Sequence, residues 1–378
     1  NGSMVLYMSV QSLDQEVLLN IKRGNISAQK MLELAPTIAS YGLSTRAEVI
    51  LGLPGENYEK HLSTLRKLVA ARTDDILVHT CMLLPGSEMA MPEEKKKWKF
   101  ETKFRILPRD FAVLQNGEKV CETEEVIVAS KDMSFDEYVK LRMVSFTLWM
   151  STKGILYDSI IKFLRQNNLD VFELFHQMVE RLDTAPEIIQ KIFAELKLST
   201  IGELYDSPEE IISFIQDDSE YQNLLDGKAA INVYKYYRAT VFSECMDIWT
   251  EYILQISKDL LIENNIFSQD IQNEFFDISN YCRGTCLNPL GIDRMETNPE
   301  YLFNYDISKW LSDKNDNLFL KDCKFPSSCK MTFTLTNEQF EIMKDTLERY
   351  GDTIIGKSKV LDMVSQQTLW RIPKLYPN

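Results

Sequence analysis

Glu48-Val49-Ile50-Leu51-Gly52-Leu53-Pro54-Gly55-Glu56 decides the fold, read together with Val10-Gln11-Ser12 upstream. Residues 44–51 read as a strand. Gly52 to Glu56 is its exit loop, rich in residues that permit tight backbone turns. Strand parity puts Glu48, Ile50 and Gly52 on one face, with Val49 and Leu51 on the other, against helices. Upstream, Leu6, Met8 and Val10 share one face of an alternating stretch, and Tyr7, Ser9 and Gln11 share the opposite one. A fully buried parallel strand usually reads as a continuous apolar run. A face carrying hydroxyls and an amide instead fits a strand that lines a polar cavity. The two stretches thus read as consecutive strand-end loops of one parallel barrel.

Working outward, residues 14–22 read as a helix, and residues 27–41 as a second one kinked at Pro36. Asn57 can cap a helix over residues 58–71, where Leu62, Leu65 and Leu68 recur at helical spacing. Residues 76–83 read as a third strand, closed by Pro85-Gly86. Strand, helix, strand, helix, strand is the pattern of parallel crossovers. Beyond Gly86 the character changes. Glu93-Glu94-Lys95-Lys96-Lys97 reads as a solvated face. Residues 103–109 and 120–130 read as extended segments around an Asn116-Gly117 turn. From Phe135 helices dominate, over residues 135–152, 156–166, 169–181, 186–196, 208–215, 229–260 and 268–281. A strand over 331–336 and a helix over 337–350 follow. The expected fold class is an α/β partial (β/α) barrel followed by a mainly α-helical domain. The expected divisions are 1–92 for the half barrel, 93–133 for an extended segment and 134–378 for the helical part.

The whole chain sets bounds. Its 378 residues carry 42 Lys and Arg against 56 Asp and Glu, a net charge of −14. That balance argues against a broad nucleic-acid-binding surface. No apolar run approaches the roughly 18 residues that span a bilayer, and no secretory signal precedes the first strand. Seven scattered cysteines do not suggest a disulfide framework. The expected setting is cytoplasmic. A chain that starts Asn1-Gly2-Ser3-Met4 and enters a strand at once starts as a fragment would.

The strings Val10-Gln11-Ser12-Leu13-Asp14, Ile21-Lys22-Arg23, Ile50-Leu51-Gly52-Leu53-Pro54-Gly55-Glu56 and Leu83-Leu84-Pro85-Gly86 occur in this order and spacing. On them the chain resembles radical S-adenosylmethionine (SAM) enzymes, of the type that carries an N-terminal cobalamin-binding domain. Residues 103–109 resemble the segment that follows the barrel in that type. The resemblance implies that residues 1–92 hold strands four to six of the barrel. It also implies a SAM site at the barrel mouth. There the amide of Gln11, with its neighbour Ser12, the guanidinium of Arg23 and the carboxylate of Glu48 would contact SAM, Ile50 and Gly52 would belong to the same cofactor site, and Gly52 and Gly55 would let backbone approach the adenine. Such a carboxylate can accept both ribose hydroxyls, and an arginine can clamp the methionine carboxylate. Glu48 stands where some members carry the shorter Asp.

The resemblance further implies a 4Fe-4S cluster and, for this type, cobalamin. Neither has its ligands in this sequence. The expected Cys-x₃-Cys-x₂-Cys is absent, since Cys282-Arg283-Gly284-Thr285-Cys286 gives the first spacing only and lies far downstream. No Asp-x-His-x-x-Gly string is present. No metal ligands are therefore assigned, and Cys282, Cys286, Cys323 and Cys329 read as free thiols. The partner implied is the N-terminal half of the same enzyme, without which this chain is expected to be inactive. The complete enzyme would carry out radical methylation or a related transformation. Plainer readings stay open. Gln11 and Ser12 can cap the next helix, Arg23 can be a helix-end arginine and Glu48 a locally paired carboxylate. His79 can be a core or rim residue. The whole can be an inactive half-barrel interaction module.

Overall fold

The computed structural model describes residues 5–24, 43–152, 156–291 and 297–376, with positions 27, 30, 31, 33, 34, 37, 38 and 41 between them. The helix expected over 27–41 falls largely outside the described residues, and its kink at Pro36 wholly so.

Strands β1 (Val5–Gln11), β2 (Ser44–Leu51) and β3 (Asp75–Thr80) form one sheet in the order β1-β2-β3, with both pairings parallel. Helices Gln15–Asn20 and Tyr58–Ala70 follow β1 and β2. Asp14 caps the first by accepting the Val17 N–H, and Asn57 caps the second by accepting the Lys60 N–H. Ala47, Val49 and Leu51 are buried in one cluster with Leu62, Leu65 and Leu68. Each leucine buried this way contributes about 2 kcal/mol. Arg46, Glu48 and Ile50 lie half-buried on the opposite face. Three strands make an open sheet, and nothing among the described residues closes it into a barrel.

The third strand ends sooner than the sequence suggests, because the chain changes partner. Cys81 still donates to the Leu51 carbonyl, but its own carbonyl accepts from Ile127, and Leu83 donates to Glu125. Those residues belong to β5 (Lys119–Ala129), which pairs antiparallel with β4 (Glu101–Val113). The hairpin is longer than the two segments expected, and it turns at Gly117 with φ 86°. A register shift between Ile106 and Phe111 surrounds Arg109, whose φ is 73°. The charged run forms a short helix, Pro92–Trp98, mostly exposed but held by Lys95 to Glu125 (2.7 Å) and by the Trp98 indole N–H to Glu94 (2.8 Å).

Helix Phe135–Thr152 packs on β3 and is buried nearly all round. Val171–Glu180 and Glu187–Gly202 pack against it. Trp249, from Met246–Glu263, stacks on Phe193 and meets Phe146 edge-on. One hydrophobic cluster runs without interruption from Val49 in the sheet through these aromatics to Phe303 and Phe333. The loop after Ile307–Ser312 is tied to helix Asp158–Gln166 and to the end of Tyr58–Ala70 by Asp316, whose carboxylate meets Arg165 (2.6 Å) and Arg72 (2.9 Å), with the Lys162 ammonium at 3.7 Å.

Two expectations need correction. Residues 229–260 form two helices, Val233–Glu244 and Met246–Glu263, separated at Cys245 (φ −154°). The region expected to be mainly helical also holds an antiparallel sheet in the order β6-β7-β8, made of β6 (Glu300–Tyr305), β7 (Lys324–Thr334) and β8 (Ile372–Tyr376). Among the described residues no helix is long and apolar enough to cross a membrane.

Candidate functional site

The carboxyl ends of β1 and β2 gather most of the residues singled out in the sequence. Register sets Ser9 beside Glu48, and Glu48 beside Leu77. Arg23 reaches the same row by a defined route. Helix Gln15–Asn20 ends in a Schellman turn: Lys22 takes the left-handed conformation (φ 54°), Arg23 N–H bonds to Leu18 O and Lys22 N–H to Leu19 O. The turn aims the Arg23 guanidinium back across the sheet, where Nη2 donates to the Ser9 carbonyl at 2.6 Å. Arg23, Ser9 and Glu48 thus occupy one line across the strand ends.

Gln11 carries the clearest backbone signature. Its φ is 60°, the pairing slips between Ser9 and Gln11, and the Ser12 N–H closes back onto the Val10 carbonyl at 2.8 Å. A non-glycine residue held there stores on the order of 1–3 kcal/mol of strain. The side chains of Gln11 and Glu48 carry no hydrogen bond or ion pair among the described residues, and both are half-buried. A half-buried carboxylate with no protein partner keeps its acceptor oxygens open to a ligand.

The structure does not bring Ser12 to that face. Ser12 is buried toward the helices, with its hydroxyl 3.5 Å from Thr64 Oγ1 and accepting the Asp14 N–H at 3.2 Å. Ile50 packs on the apolar group of Val17, Leu53, Cys81, Leu83 and Ile127. Gly52 and Gly55 have φ of 98° and 81°. A side chain at Gly52 would meet the Ile127 carbonyl at 3.3 Å, and one at Gly55 would strike Asn20, which itself donates to the Pro54 carbonyl (3.1 Å). Both glycines therefore answer to close packing of the loop against its neighbours. His79, beside Ile50 in register, is exposed at the sheet rim.

Two residues had no assigned role in the sequence. Glu56 and His61 are both fully buried; Glu56 Oε2 accepts the Gly52 N–H at 2.8 Å and Oε1 lies 3.0 Å from His61 Nδ1. Glu56 stood in the loop string, but a histidine five residues later in the next helix forms no recognisable motif. Burial pushes the nearby Cys81 thiol up to about 12, and the Glu56 charge adds to it. Cys81 is therefore no ready thiolate. Cys282 and Cys286 are buried on one helix, with burial raising both thiols. Cys323 and Cys329 are buried elsewhere, and no group of three or more His, Cys, Asp or Glu among the described residues could hold a metal ion. A cavity of about 730 Å³ opens at the other end of the strands, lined by Ser44, Arg46, Asp75 and Lys162 among others. None of the six residues assigned to the cofactor lines it.

No family model matches the chain. It is 30% identical over 177 residues to 2-(S-pantetheinyl)-carbapenam-3-carboxylate methyltransferase of Streptantibioticus cattleyicolor, a match covering 46% of this chain and 25% of that protein. It is 28% identical over 136 residues to the cobalamin-dependent radical SAM methyltransferase TokK of Streptomyces tokunonensis, covering 35% of this chain and 19% of that protein. The chain thus spans about a quarter or less of the curated relatives it matches. Over that part, it is similar to methyltransferases of the cobalamin-dependent radical SAM type.

Proposed function

We propose that this chain provides the SAM-binding strand ends of a cytoplasmic radical SAM methyltransferase of the cobalamin-dependent type. One observation carries the reading: the half-buried Glu48 carboxylate, without a partner among the described residues, stands in the same row as the Arg23-bound Ser9 carbonyl, toward the carboxyl ends of parallel strands. Parallel α/β sheets and barrels place ligands there. Glu48 would accept the ribose hydroxyls, Gln11 would both donate and accept, and Arg23 would clamp the methionine carboxylate. In such enzymes SAM supplies a methyl group and the precursor of an organic radical. The residues present do not fit a 4Fe-4S cluster or cobalamin. Those would be held by sequence upstream, which would also supply the first three strands of the barrel against the free side of β1. An interaction module without catalysis would show itself by failing to bind SAM.

The test is calorimetric titration of SAM into the chain together with any sequence in frame upstream of Asn1. Arg23→Ala should weaken binding about ten- to a hundredfold, the usual effect of losing a charge-assisted bond. Glu48→Gln should weaken it less, since the amide still accepts one hydroxyl. The exposed Arg109 serves as a control, and Arg109→Ala should leave affinity unchanged. Equal affinity of wild type and Arg23→Ala would show that the clamp is misassigned.

A further inference from the structure

Between β2 and the Tyr58–Ala70 helix lies a buried polar pair that nothing above uses. Glu56 and His61 are both 0% exposed. The loop folds tightly enough for the Glu56 N–H to reach the Leu53 carbonyl at 3.0 Å, which turns the carboxylate inward. One oxygen takes the Gly52 N–H at 2.8 Å, and the other faces His61 Nδ1 at 3.0 Å. A carboxylate only accepts, so Nδ1 carries the ring proton. Nε2 has no partner among the described residues. The imidazole is fixed by its place in the first turn of a helix, whose Asn57 cap is intact. Glu56 precedes that cap, where the helix N-terminus favours negative charge. The result is a chain of constraint from helix to imidazole to carboxylate to the Gly52 amide, at the glycine where β2 leaves the sheet with φ 98°.

We propose that Glu56 and His61 are a positioning pair for the cofactor. His61 holds one carboxylate oxygen so that the other fixes the Gly52 amide, and with it the turn that sets Ile50 and Gly52 at the strand ends. The proposal rests on reading that turn as part of a SAM site. Neither residue touches the cofactor; both act through the loop.

Two measurements test it. Amide exchange at Gly52 is followed in the 378-residue chain, and SAM affinity in the upstream-extended protein, for wild type, His61→Leu, His61→Asn, Glu56→Ala and Glu56→Gln. Losing the buried acceptor in Glu56→Ala, or the group that holds it in His61→Leu, should speed Gly52 exchange about ten- to a hundredfold and weaken SAM by about tenfold. His61→Asn, whose side-chain N–H₂ reaches the Nδ1 position, should recover most of both effects, as should Glu56→Gln, which still accepts from Gly52. If His61→Leu fails to fold, the Glu56→Ala and Glu56→Gln comparison carries the test. Unchanged Gly52 exchange in a folded Glu56→Ala protein overturns the clasp. Faster exchange with undiminished SAM affinity overturns the positioning role. A wild-type protein that binds no SAM overturns the proposal through its premise, and the exchange data then show that the functional reading failed and not the clasp.

Discussion

Replacing Arg238 with methionine should make the protein more stable. Arg238 lies in Val233–Glu244 and is 2% exposed. Its guanidinium sits 5.4 Å from the Trp149 ring and 4.9 Å from the Phe242 ring, and neither Nε nor Nη2 has an acceptor among the described residues. Burial pulls its pKa down from 12.5 to about 10, with only long-range help from Asp362 and Asp75. At 1.36 kcal/mol per decade, that is about 3 kcal/mol against keeping the charge buried. The two ring contacts return about 0.5–2 kcal/mol each. Methionine has a similar length and also packs well on aromatic rings, so Arg238→Met should gain about 1 kcal/mol, while Arg238→Lys, with a more strongly hydrated charge, should lose stability. Urea unfolding at pH 7, followed by tryptophan fluorescence, measures both. A loss of more than about 2 kcal/mol in Arg238→Met would refute the reasoning, because it would mean that the guanidinium has a strong anionic partner in solution.

Asp316→Asn keeps a residue type that tolerates the φ of 59° at this position but removes the charge facing Arg72, Arg165 and Lys162; the Asp316 side chain is 11% exposed, so urea unfolding should show a loss of about 3 kcal/mol. Burial raises the Glu274 carboxyl from 4.5 to about 7 despite Lys321 nearby. The native state therefore holds a proton that the unfolded chain releases, and this residue's contribution to stability falls as pH rises from 4.5 to 7. Glu274→Gln should match wild type below that window and exceed it by about 2 kcal/mol above it, as read from unfolding midpoints across pH. A constant difference at all pH values would remove the assignment.

Much of the framework was legible where local chemistry is loud. Ser44–Leu51 was bounded correctly because its alternation runs straight into a glycine-rich exit. Asn337–Tyr350 was bounded correctly, and in the structure Thr336 and Gln339 close its start with a reciprocal cap. The break at Cys245 was not, since no glycine or proline marks it and the apolar pattern continues across it. β8 carries Pro373, which argues against a strand except at an edge, and an edge is where it lies. At the candidate site, parity alone placed Glu48 and Ile50 on one face. The left-handed Gln11 and the inward turn of Ser12 depend on a register slip that no residue type announces. The reach of Arg23 to Ser9 depends on a Schellman turn with lysine where glycine is usual. The Glu56–His61 contact joins residues from a loop and a helix, and only folding brings them together.

The change of partner at Cys81 has a consequence for growth. A sheet with two bare margins can add strands without limit, which is how backbone pairing leads to fibres. Here the continuation of β3 is already bonded to Glu125 and Ile127 from the hairpin, whereas among the described residues no strand pairs with the far side of β1. The cover is local: among the described strands Asp75–Thr80 pair with β2 alone. The hairpin thus blunts the β3 margin at its carboxyl end alone, and a strand added on that side would have to stop short of Cys81.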